Sequence, residues 1–251
     1  RFVAIVRDVT ERRRVDRLKN EFISTVSHEL RTPLTSIRGA IGLLTGGAVG
    51  AVPESARELL AIADRNSERL MLLINDILDI DKIESGKMRL DLREYALAAL
   101  VEQAIHACGP AARQAGVAVQ CGPLPADACV RVDADRLGQV LGNLLSNAIK
   151  FSPSGAVVEV SVEPRGDDVR IAVADRGPGV PPAFRPRLFQ KFAQADAGDA
   201  RARGGTGLGL SIARAITEHM QGRIAFEARE GGGSIFIVTL PRAASERPTC
   251  Q

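Results

Sequence analysis

The feature that most constrains this chain is a pair of long amphipathic repeats near its N terminus. In the first repeat, apolar side chains recur at steps of three and four, at Val15, Leu18, Phe22, Val26, Leu30, Leu34, Ile37, Ile41 and Leu44. The second repeat keeps a heptad spacing through Leu59, Ile62, Asn66, Leu70, Leu73, Ile77, Ile80 and Glu84. This spacing predicts two long helices, each with one apolar face.

A glycine-rich turn joins the two repeats. The segment TGGAVGAVP at residues 45–53 ends in proline and interrupts the helical pattern. Two helices joined by a short turn form an antiparallel hairpin, and this apolar stripe is too long for one hairpin to cover. We therefore expect two copies to pair into a four-helix bundle. A monomeric hairpin that folds back on the rest of the chain is the alternative.

The chain after Gly86 mixes strand and helix patterns. Strand-like runs are MRLDLR, VAVQ, VRV, VVEVSVE, VRIAVAD, RIAFEAR and SIFIVTLP, and helical patterns lie near 96–114, 134–150 and 207–221. Turn sequences such as RGDD and EGGG separate the last strands, which favours antiparallel neighbours with helices over one face. The predicted fold class is α+β, with the helical hairpin followed by an α/β sandwich. Residues 242–251 carry no pattern, and we predict a disordered tail.

Composition excludes several classes of protein. The 33 basic and 30 acidic residues give a net charge of +3 and are scattered, without the basic, aromatic-rich runs that bind nucleic acid. No apolar run reaches the ~18 residues that would span a bilayer. The four cysteines form neither a CxxC pair nor a disulfide framework. We expect no nucleic-acid partner, no membrane segment in this fragment, and reduced, mostly buried thiols.

A short motif in the first helix combines three chemically useful side chains. SHELRTPL at residues 27–34 places His28, Glu29 and Thr32 on neighbouring helix faces. A neutral imidazole can attack a phosphoryl group if its other nitrogen is held and then relieved of its proton, and Glu29 can do both. Pro33 removes a backbone hydrogen bond, and should bend or loosen the turn that carries His28.

Two blocks in the second half suggest a nucleotide site. NLLSNAIKF at 143–151 places Asn143, Asn147 and Lys150 on adjacent turns of one helix, where amide oxygens can bind a hard cation and lysine can meet phosphate. DRGPGV at 175–180 follows a strand. Asp175 could accept a hydrogen bond from the exocyclic amine of adenine and would reject guanine, while the glycines Gly177 and Gly179 let the backbone approach the base.

Two further blocks follow in order. LFQKFAQ at 188–194 contains Phe189 and Phe192, whose spacing favours a packing pair. GGTGLGL at 204–210 directly precedes a helix, where backbone amides and the positive helix end favour phosphate. Its spacing matches neither a Walker loop nor a dinucleotide-binding fingerprint. The candidate binding residues in this block are Gly205, Thr206, Gly207, Leu208 and Gly209.

These motifs together resemble those of sensor histidine kinases. SHELRTPL resembles the H-box of the HisKA family, and the four later blocks resemble, in order, the N, G1, F and G2 boxes of the histidine-kinase ATPase domain, which has the Bergerat fold. The resemblance spans residues 12–241. It implies that His28 is phosphorylated, that Glu29 assists as a base, and that Thr32 positions water when the kinase dephosphorylates its partner.

The resemblance also implies the cofactors, the partners and the domain boundaries. Mg²⁺ would bind Asn147, Asp175 would recognise the adenine of ATP, and residues 190–206 would form a mobile lid. Implied partners are a second copy of the chain and the receiver domain of a response regulator, in the cytoplasm, with any membrane anchor upstream. The segment RDVTERR resembles the end of a PAS sensor domain. The implied domains are sensor end and signalling helix (1–14), dimerisation and phosphotransfer (15–86), ATP binding (87–241) and tail (242–251).

Two other functions are compatible with parts of this pattern. An ATP-driven conformational clamp, like the topoisomerase or heat-shock ATPases, would share the ATPase fold, but SHELRTPL argues against it. The intact set of His28, Asn147, Asp175 and glycines argues against the other alternative, a signalling scaffold that binds ATP without phosphotransfer. A histidine kinase is therefore the function that the sequence predicts.

Overall fold

The computed structural model describes residues 10–48, 50, 52–125, 128–194 and 206–243. Side chains in the first helix are described from Thr25 onward, except that of His28. The chain divides into two compact units, Arg1–Met88 and Arg89–Gln251. Residues 1–9 of the predicted sensor end and signalling helix lie outside the described residues.

The first unit is a helical hairpin. Helix α1 spans Thr10–Thr45 and continues through Pro33, and helix α2 spans Glu54–Glu84. Both predicted helices and the turn between them are therefore confirmed. The two helices pack against each other, and Leu34, Ile41 and Ile74 are buried. No helix among the described residues is long and apolar enough to cross a membrane.

Much of the apolar stripe remains exposed on the hairpin. Among the described side chains of α1 and α2, nine large apolar ones are at least 36% exposed. They are Val26, Leu30, Ile37, Leu43, Leu59, Ile62, Leu70, Leu72 and Ile77. A single hairpin thus leaves uncovered the kind of contiguous apolar surface that usually marks an interaction site.

The second unit contains the helices and strands of an α+β domain. Its helices are α3 (Leu97–Ala115), α4 (Ala134–Phe151) and α5 (Gly209–His219), with a 3₁₀ turn at Arg185–Arg187. Its strands are β1 (Arg93–Ala96), β2 (Ala118–Cys121), β3 (Cys129–Val132), β4 (Val157–Arg165), β5 (Asp168–Ala174), β6 (Arg223–Ala228) and β7 (Ser234–Pro241).

A five-stranded sheet organises this unit. Its order is β2-β4-β5-β7-β6, and all neighbours are antiparallel except the parallel pair β2 and β4. Buried and partly exposed residues alternate along β5, so Val169, Ile171 and Val173 point to the core on one face. Helix α4 packs on β4 and β5, and helix α5 packs on α4 and β6. The predicted α+β class and antiparallel strand pairs are confirmed.

The strand predicted at MRLDLR is wrong. Residues 87–92 have no regular structure, and β1 begins only at Arg93, where it pairs with β3. The backbone N–H of Asp91 donates to the side chain of Asp133, which also caps α4. This segment therefore serves the start of a helix instead of a strand ladder.

Backbone pairing extends beyond the predicted start of the tail. Arg242 forms an isolated bridge with Val130 and donates its N–H to Asp167 O, and Ala243 donates to Cys129 O. Contacts with β3 and with the turn between β4 and β5 thus pair the backbone groups of these two residues. Residues 244–251 lie outside the described residues.

The thiol prediction is only partly correct. Cys108 and Cys121 are free. Burial raises the pKa of the half-buried Cys108 thiol above its ordinary value, and partial desolvation of the sulfur together with the charge of Glu102 raises that of Cys121, whose surface is exposed. Cys129 is disulfide-bonded, so the prediction of a reduced thiol is wrong there. Cys250 lies outside the described residues.

Candidate functional site: a nucleotide cleft and a phosphoacceptor helix

The SHELRTPL motif lies within α1, as predicted. Glu29 and Thr32 are exposed on this helix, while the side chain of His28 lies outside the described residues. Pro33 has no N–H to donate to the carbonyl of Glu29, so one helical hydrogen bond is missing directly after His28. The hydroxyls of Thr35 and Ser36 donate to the carbonyls of Arg31 and Thr32 in the turn that follows, a kind of bond that often bends helices. The predicted bend at Pro33 stays a prediction.

A side-chain bond crosses the hairpin next to this motif. Arg31 Nη2 donates a 3.0 Å hydrogen bond to Asn75 Oδ1 of α2. Because Arg31 is three residues after His28, its position on the helix is next to that of the predicted phosphoacceptor. No local motif in the sequence links this pair, because the two residues are 44 positions apart.

Helix α4 provides the floor of the candidate nucleotide site. Asp133 caps its N terminus by accepting a 3.1 Å hydrogen bond from Arg136 N. Asn143, Asn147 and Lys150 follow at helical spacing and are all partly exposed. The Lys150 ammonium lies 5.0 Å from the ring centroid of Phe151. This face therefore presents amide and ammonium groups that solvent or a ligand can reach.

The loop after β5 lies close to the C-terminal end of α4. Asp175 follows β5 directly and is 4% exposed. Its Oδ1 accepts hydrogen bonds from Gly177 N at 2.8 Å and from Ser234 N at 3.2 Å. Burial raises the pKa of Asp175 above its ordinary value, while hydrogen bonds from Gly177 and Ser234 and the charge of Arg229 act in the opposite direction.

Three glycines allow the backbone to pack closely around Asp175. A Cβ atom on Gly177 would lie 2.8 Å from Phe151 O at the end of α4. Gly179 has a φ of +74°, and its Cβ would lie 3.2 Å from Gly233 O. Gly233 has a φ of +107°, and a Cβ there would overlap the carbonyl oxygen of Asp175. A side chain at Gly177 would push the Asp175 loop away from α4, and one at Gly179 or Gly233 would push this loop away from the turn between β6 and β7.

The GGTGLGL block lies at the other end of the same face. Helix α5 begins at Gly209, and Asn143 Nδ2 donates a 3.1 Å hydrogen bond to Gly209 O. Leu208 is buried, and its N–H donates to the Thr206 hydroxyl at 3.0 Å. Gly207 has a φ of +70° and lies against the backbone of Phe192. Gly205 lies outside the described residues.

These contacts place two of the predicted blocks at opposite ends of one segment of α4. The Asp175 loop approaches Phe151, and the start of α5 approaches Asn143. Eight residues of helix separate these points, or about 12 Å along the helix axis. A buried carboxylate at one end and a glycine-rich helix start at the other can bind a base and a phosphate chain, respectively.

The predicted packing pair of phenylalanines is wrong in part. Phe189 packs edge-on against Phe236, with ring centroids 6.5 Å apart. Phe192 is instead 69% exposed and has a φ of +59°, because its backbone turns against Gly207. Of the predicted lid at 190–206, residues 195–205 lie outside the described residues.

The structure also reveals supporting residues that sequence reasoning missed. Ser234 is buried and holds the carboxylate of Asp175, Gly233 permits their close approach, and Arg229 donates to the Asp175 carbonyl. The EGGG sequence predicts the turn between β6 and β7, but it does not predict which residues this turn contacts. Only the strand order, which puts β7 beside β5, brings these residues together.

The donor set fits magnesium carried by a nucleotide better than an independent metal centre. Among the described residues, no group of three or more His, Cys, Asp or Glu could hold a metal ion. Mg²⁺ at phosphate sites usually takes one or two protein ligands together with phosphate oxygens and water. The partly exposed amide of Asn147, between the two ends of the cleft, fits that requirement.

Comparisons with known proteins define the class to which this chain belongs. The family model "His Kinase A (phospho-acceptor) domain" matches residues 18–86. The model "Histidine kinase-, DNA gyrase B-, and HSP90-like ATPase" matches residues 132–244. The first covers the hairpin and the second covers the site around α4, Asp175 and α5. The chain therefore belongs to the sensor histidine kinases and carries a phospho-acceptor domain and an ATP-binding domain.

Individual relatives agree with this class. Circadian input-output histidine kinase CikA of Synechococcus elongatus is 39% identical over 92% of this chain and 31% of its own length. Sensor protein EvgS of Escherichia coli K12 is 36% identical over 91% of this chain and 19% of its length. The solved structure of full-length ShkA in complex with AMPPNP aligns with a TM-score of 0.72 and 30% identity, over 91% of this chain and 47% of ShkA. The chain thus spans less than half of each of these relatives.

Proposed function

We propose that this chain binds Mg-ATP in the cleft along α4, transfers the γ-phosphoryl group to His28, and then passes it to an aspartate of a separate response regulator. The observation that carries the proposal is the buried carboxylate of Asp175, held by two backbone N–H groups at one end of the cleft. The phospho-acceptor motif in the same chain supplies the acceptor.

Adenine recognition follows from the position of Asp175. A carboxylate accepts a hydrogen bond from the exocyclic amine of adenine, whereas guanine presents a carbonyl oxygen at that place. In a buried site the unmatched oxygen pair would be strongly unfavourable. Gly177 and Gly179 have no side chains, so they would let the flat base approach the backbone beside the carboxylate.

Phosphate binding is proposed for the opposite end of the cleft. The N terminus of α5 provides backbone N–H groups and the positive end of the helix dipole. Lys150 lies beside Phe151 at the Asp175 end, so its long side chain would have to extend along α4 to bring its positive charge to the phosphates. The Asn147 amide oxygen, between the two ends, would bind Mg²⁺ together with phosphate oxygens. When bound, the cation neutralises negative charge on the phosphates. Candidate contacts of the phosphates are Asn143, Gly205, Thr206, Gly207, Leu208 and Gly209.

The transfer step uses the side chains of α1. One imidazole nitrogen of His28 attacks the γ-phosphorus while the bond to the β,γ-bridging oxygen breaks, so that ADP leaves and a phosphoramidate forms. The proton on the other imidazole nitrogen passes to Glu29. In the reverse task, the hydroxyl of Thr32 positions water for dephosphorylation of the response regulator. Both roles rest on the family motif and on the exposure of these side chains.

The partners follow from the hairpin. Its nine exposed apolar side chains support a homodimer in which two hairpins form a four-helix bundle. The receiver domain would dock on the same hairpin, because it must reach the phosphorylated His28. We place this chain in the cytoplasm, where ATP is available. The PAS-like end at residues 1–14 stays a prediction.

The test is phosphoryl transfer from γ-labelled ATP with magnesium, comparing wild type with His28→Gln. We expect label that is acid-labile and base-stable, as a phosphoramidate is, and that is absent from the variant. ADP binding by both proteins serves as the control for an intact ATPase unit. Wild type that binds ADP but retains no label would contradict the kinase and favour a scaffold that binds ATP without phosphotransfer.

A further inference from the structure

A largely buried arginine at the end of the edge strand β6 connects three separate parts of the sheet at the candidate adenine site. Arg229 follows the last residue of β6, and its side chain is only 12% exposed. Its Nη1 donates to the carbonyl oxygen of Asp175 at 3.3 Å, and its Nη2 donates to Glu159 Oε1 at 2.7 Å. Asp175 follows β5, and Glu159 lies on β4.

The strand order makes this reach unusual. In the sheet order β4-β5-β7-β6, Arg229 directly follows the edge strand β6, and its side chain extends past β7 to the end of β5 and to β4. The turn that carries it is closed by its own hydrogen bonds, from Arg229 N to Gly233 O and from Gly232 N to Arg229 O. The guanidinium therefore projects from a fixed backbone, and both of its branches are used.

We propose that Arg229 is a positioning residue for adenine recognition, which fixes the peptide of Asp175 and thereby aims its carboxylate into the cleft. Asp175 is then held on three sides: its N–H donates to Ser234 O, its Oδ1 accepts from Gly177 and Ser234, and its carbonyl accepts from Arg229. The proposal rests on the role of Asp175 given under the proposed function.

The chemistry of the guanidinium suits this task. Its planar fork can donate in two directions at once, whereas an ammonium is a single point charge. Glu159 holds the far branch, and its pKa is lowered, chiefly by this hydrogen bond from Arg229. Arg176 lies 3.8 Å from the same carboxylate and so does not compete for the short contact. A lysine at position 229 could retain the charge but could not form both bonds.

The test compares Arg229→Met and Arg229→Lys with wild type. For Arg229→Met we expect the KM for ATP in autophosphorylation, and the Kd for ADP, to rise about tenfold, which corresponds to one charge-assisted hydrogen bond. The kcat should change less than about twofold, because Arg229 does not touch the phosphates. The preference for ADP over GDP should fall, and Arg229→Lys should lie between the two proteins.

The matched control is Arg223→Met on β6. Arg223 also pairs with a carboxylate, Asp168 at 3.1 Å, but it is 78% exposed and lies at the opposite end of the strand. We expect its KM and Kd to equal those of wild type. If Arg229→Met does not fold, Glu159→Gln removes the charge that anchors the guanidinium, and should raise the Kd for ADP in the same direction.

The outcomes separate this proposal from the one on which it rests. Suppose that Arg229→Met keeps the ADP affinity and base preference of wild type while Asp175→Asn loses ADP affinity. That result would overturn the role of Arg229 and leave the role of Asp175 intact. A rise in KM with an equal fold-decrease in kcat in Arg229→Met would also overturn this role, because it would indicate general damage to the ATPase unit. ADP binding that is absent in wild type, or unaffected by Asp175→Asn, would overturn the proposed function and this inference with it.

Discussion

The side-chain amide of Asn143 donates a 3.1 Å hydrogen bond to the carbonyl oxygen of Gly209. This bond joins the middle of α4 to the first residue of α5, so the two helices that flank the proposed phosphate site are held together by a predicted ligand residue. A Cβ atom on Gly209 would lie only 3.3 Å from Asn143 Oδ1. Asn143 therefore holds the start of α5 through its NH₂ group, and its oxygen lies close to the same residue.

Replacing Asn143 should show how far its NH₂ group stabilises the ATPase unit. Asn143→Ala loses the hydrogen bond and should destabilise the ATPase unit by about 1–2 kcal/mol. Asn143→Asp should be at least as damaging, since its carboxylate oxygen would face the carbonyl oxygen of Gly209. Thermal unfolding and ADP titration of both variants would measure this. An aspartate variant as stable as wild type would contradict a structural role for the Asn143 NH₂ group.

Patterns local in sequence predicted the fold well, and contacts between distant residues were missed. The repeats from Val15 to Leu44 and from Leu59 to Glu84 gave the hairpin because helix periodicity is a local property. Asp175 was identified for its position after a strand. Its partner Ser234 is 59 residues away and depends on β7 pairing with β5, which no short motif encodes. The packing predicted for Phe192 was wrong for a similar reason, because the backbone of Phe192 lies against Gly207, which is 15 residues further along the chain.

Two neighbouring glycines in the β6–β7 turn provide a second test. Gly232 and Gly233 have nearly equal φ angles of +102° and +107°, so alanine is strained at both. Only at Gly233 would the added Cβ overlap the carbonyl oxygen of Asp175, since nothing lies within 4 Å at Gly232. We expect Gly233→Ala to lose most ADP binding and Gly232→Ala to retain it, with a smaller decrease in Tm. Equal ADP affinity in the two variants would argue against close packing of this turn on the adenine site.

The buried carboxylate of Asp175 should favour binding at the expense of stability. Its pKa is raised above the ordinary value, chiefly by burial. The folded ATPase unit therefore favours the protonated acid, and loses stability as the pH rises from the ordinary pKa through the raised one. Asp175→Asn keeps an oxygen for Gly177 and Ser234 and removes the buried charge. We expect its Tm at neutral pH to equal or exceed that of wild type while ADP binding falls.

The pH dependence of binding provides the control for this assignment. Wild-type affinity for ADP should weaken as the pH falls towards the raised pKa of Asp175, since the protonated acid is a poorer acceptor for the adenine amine. The Asp175→Asn variant should lack this component of the profile. A Tm that drops by many degrees in Asp175→Asn would instead indicate that the ionised carboxylate supports the fold.

The bond between Arg31 and Asn75 should matter more for transfer than for stability. Both side chains are exposed, so removal of the 3.0 Å bond in Asn75→Ala should change the free energy of unfolding by less than about 1 kcal/mol. Arg31 lies one turn from His28, and its orientation should affect the rate at which label reaches the histidine. The control is Asp64→Ala, which breaks the looser Arg38–Asp64 contact of 3.6 Å. Equal autophosphorylation rates in wild type and Asn75→Ala would contradict this expectation.

The exposed apolar side chains of α2 offer a direct test of the proposed homodimer. Ile62 and Leu70 belong to the heptad repeat and are 47% and 41% exposed, whereas Leu72 is 59% exposed but lies two residues on, towards the opposite helix face. If the heptad face is the dimer seam, Ile62→Glu with Leu70→Glu should yield a monomer by light scattering, because two hairpins cannot bury unpaired carboxylates. Leu72→Glu introduces a charge of the same sign on the same helix and should remain a dimer. If Leu72→Glu dissociates the dimer and the double variant does not, the dimer seam lies on another face of α2. If wild type is itself a monomer, the alternative of a monomeric hairpin is favoured.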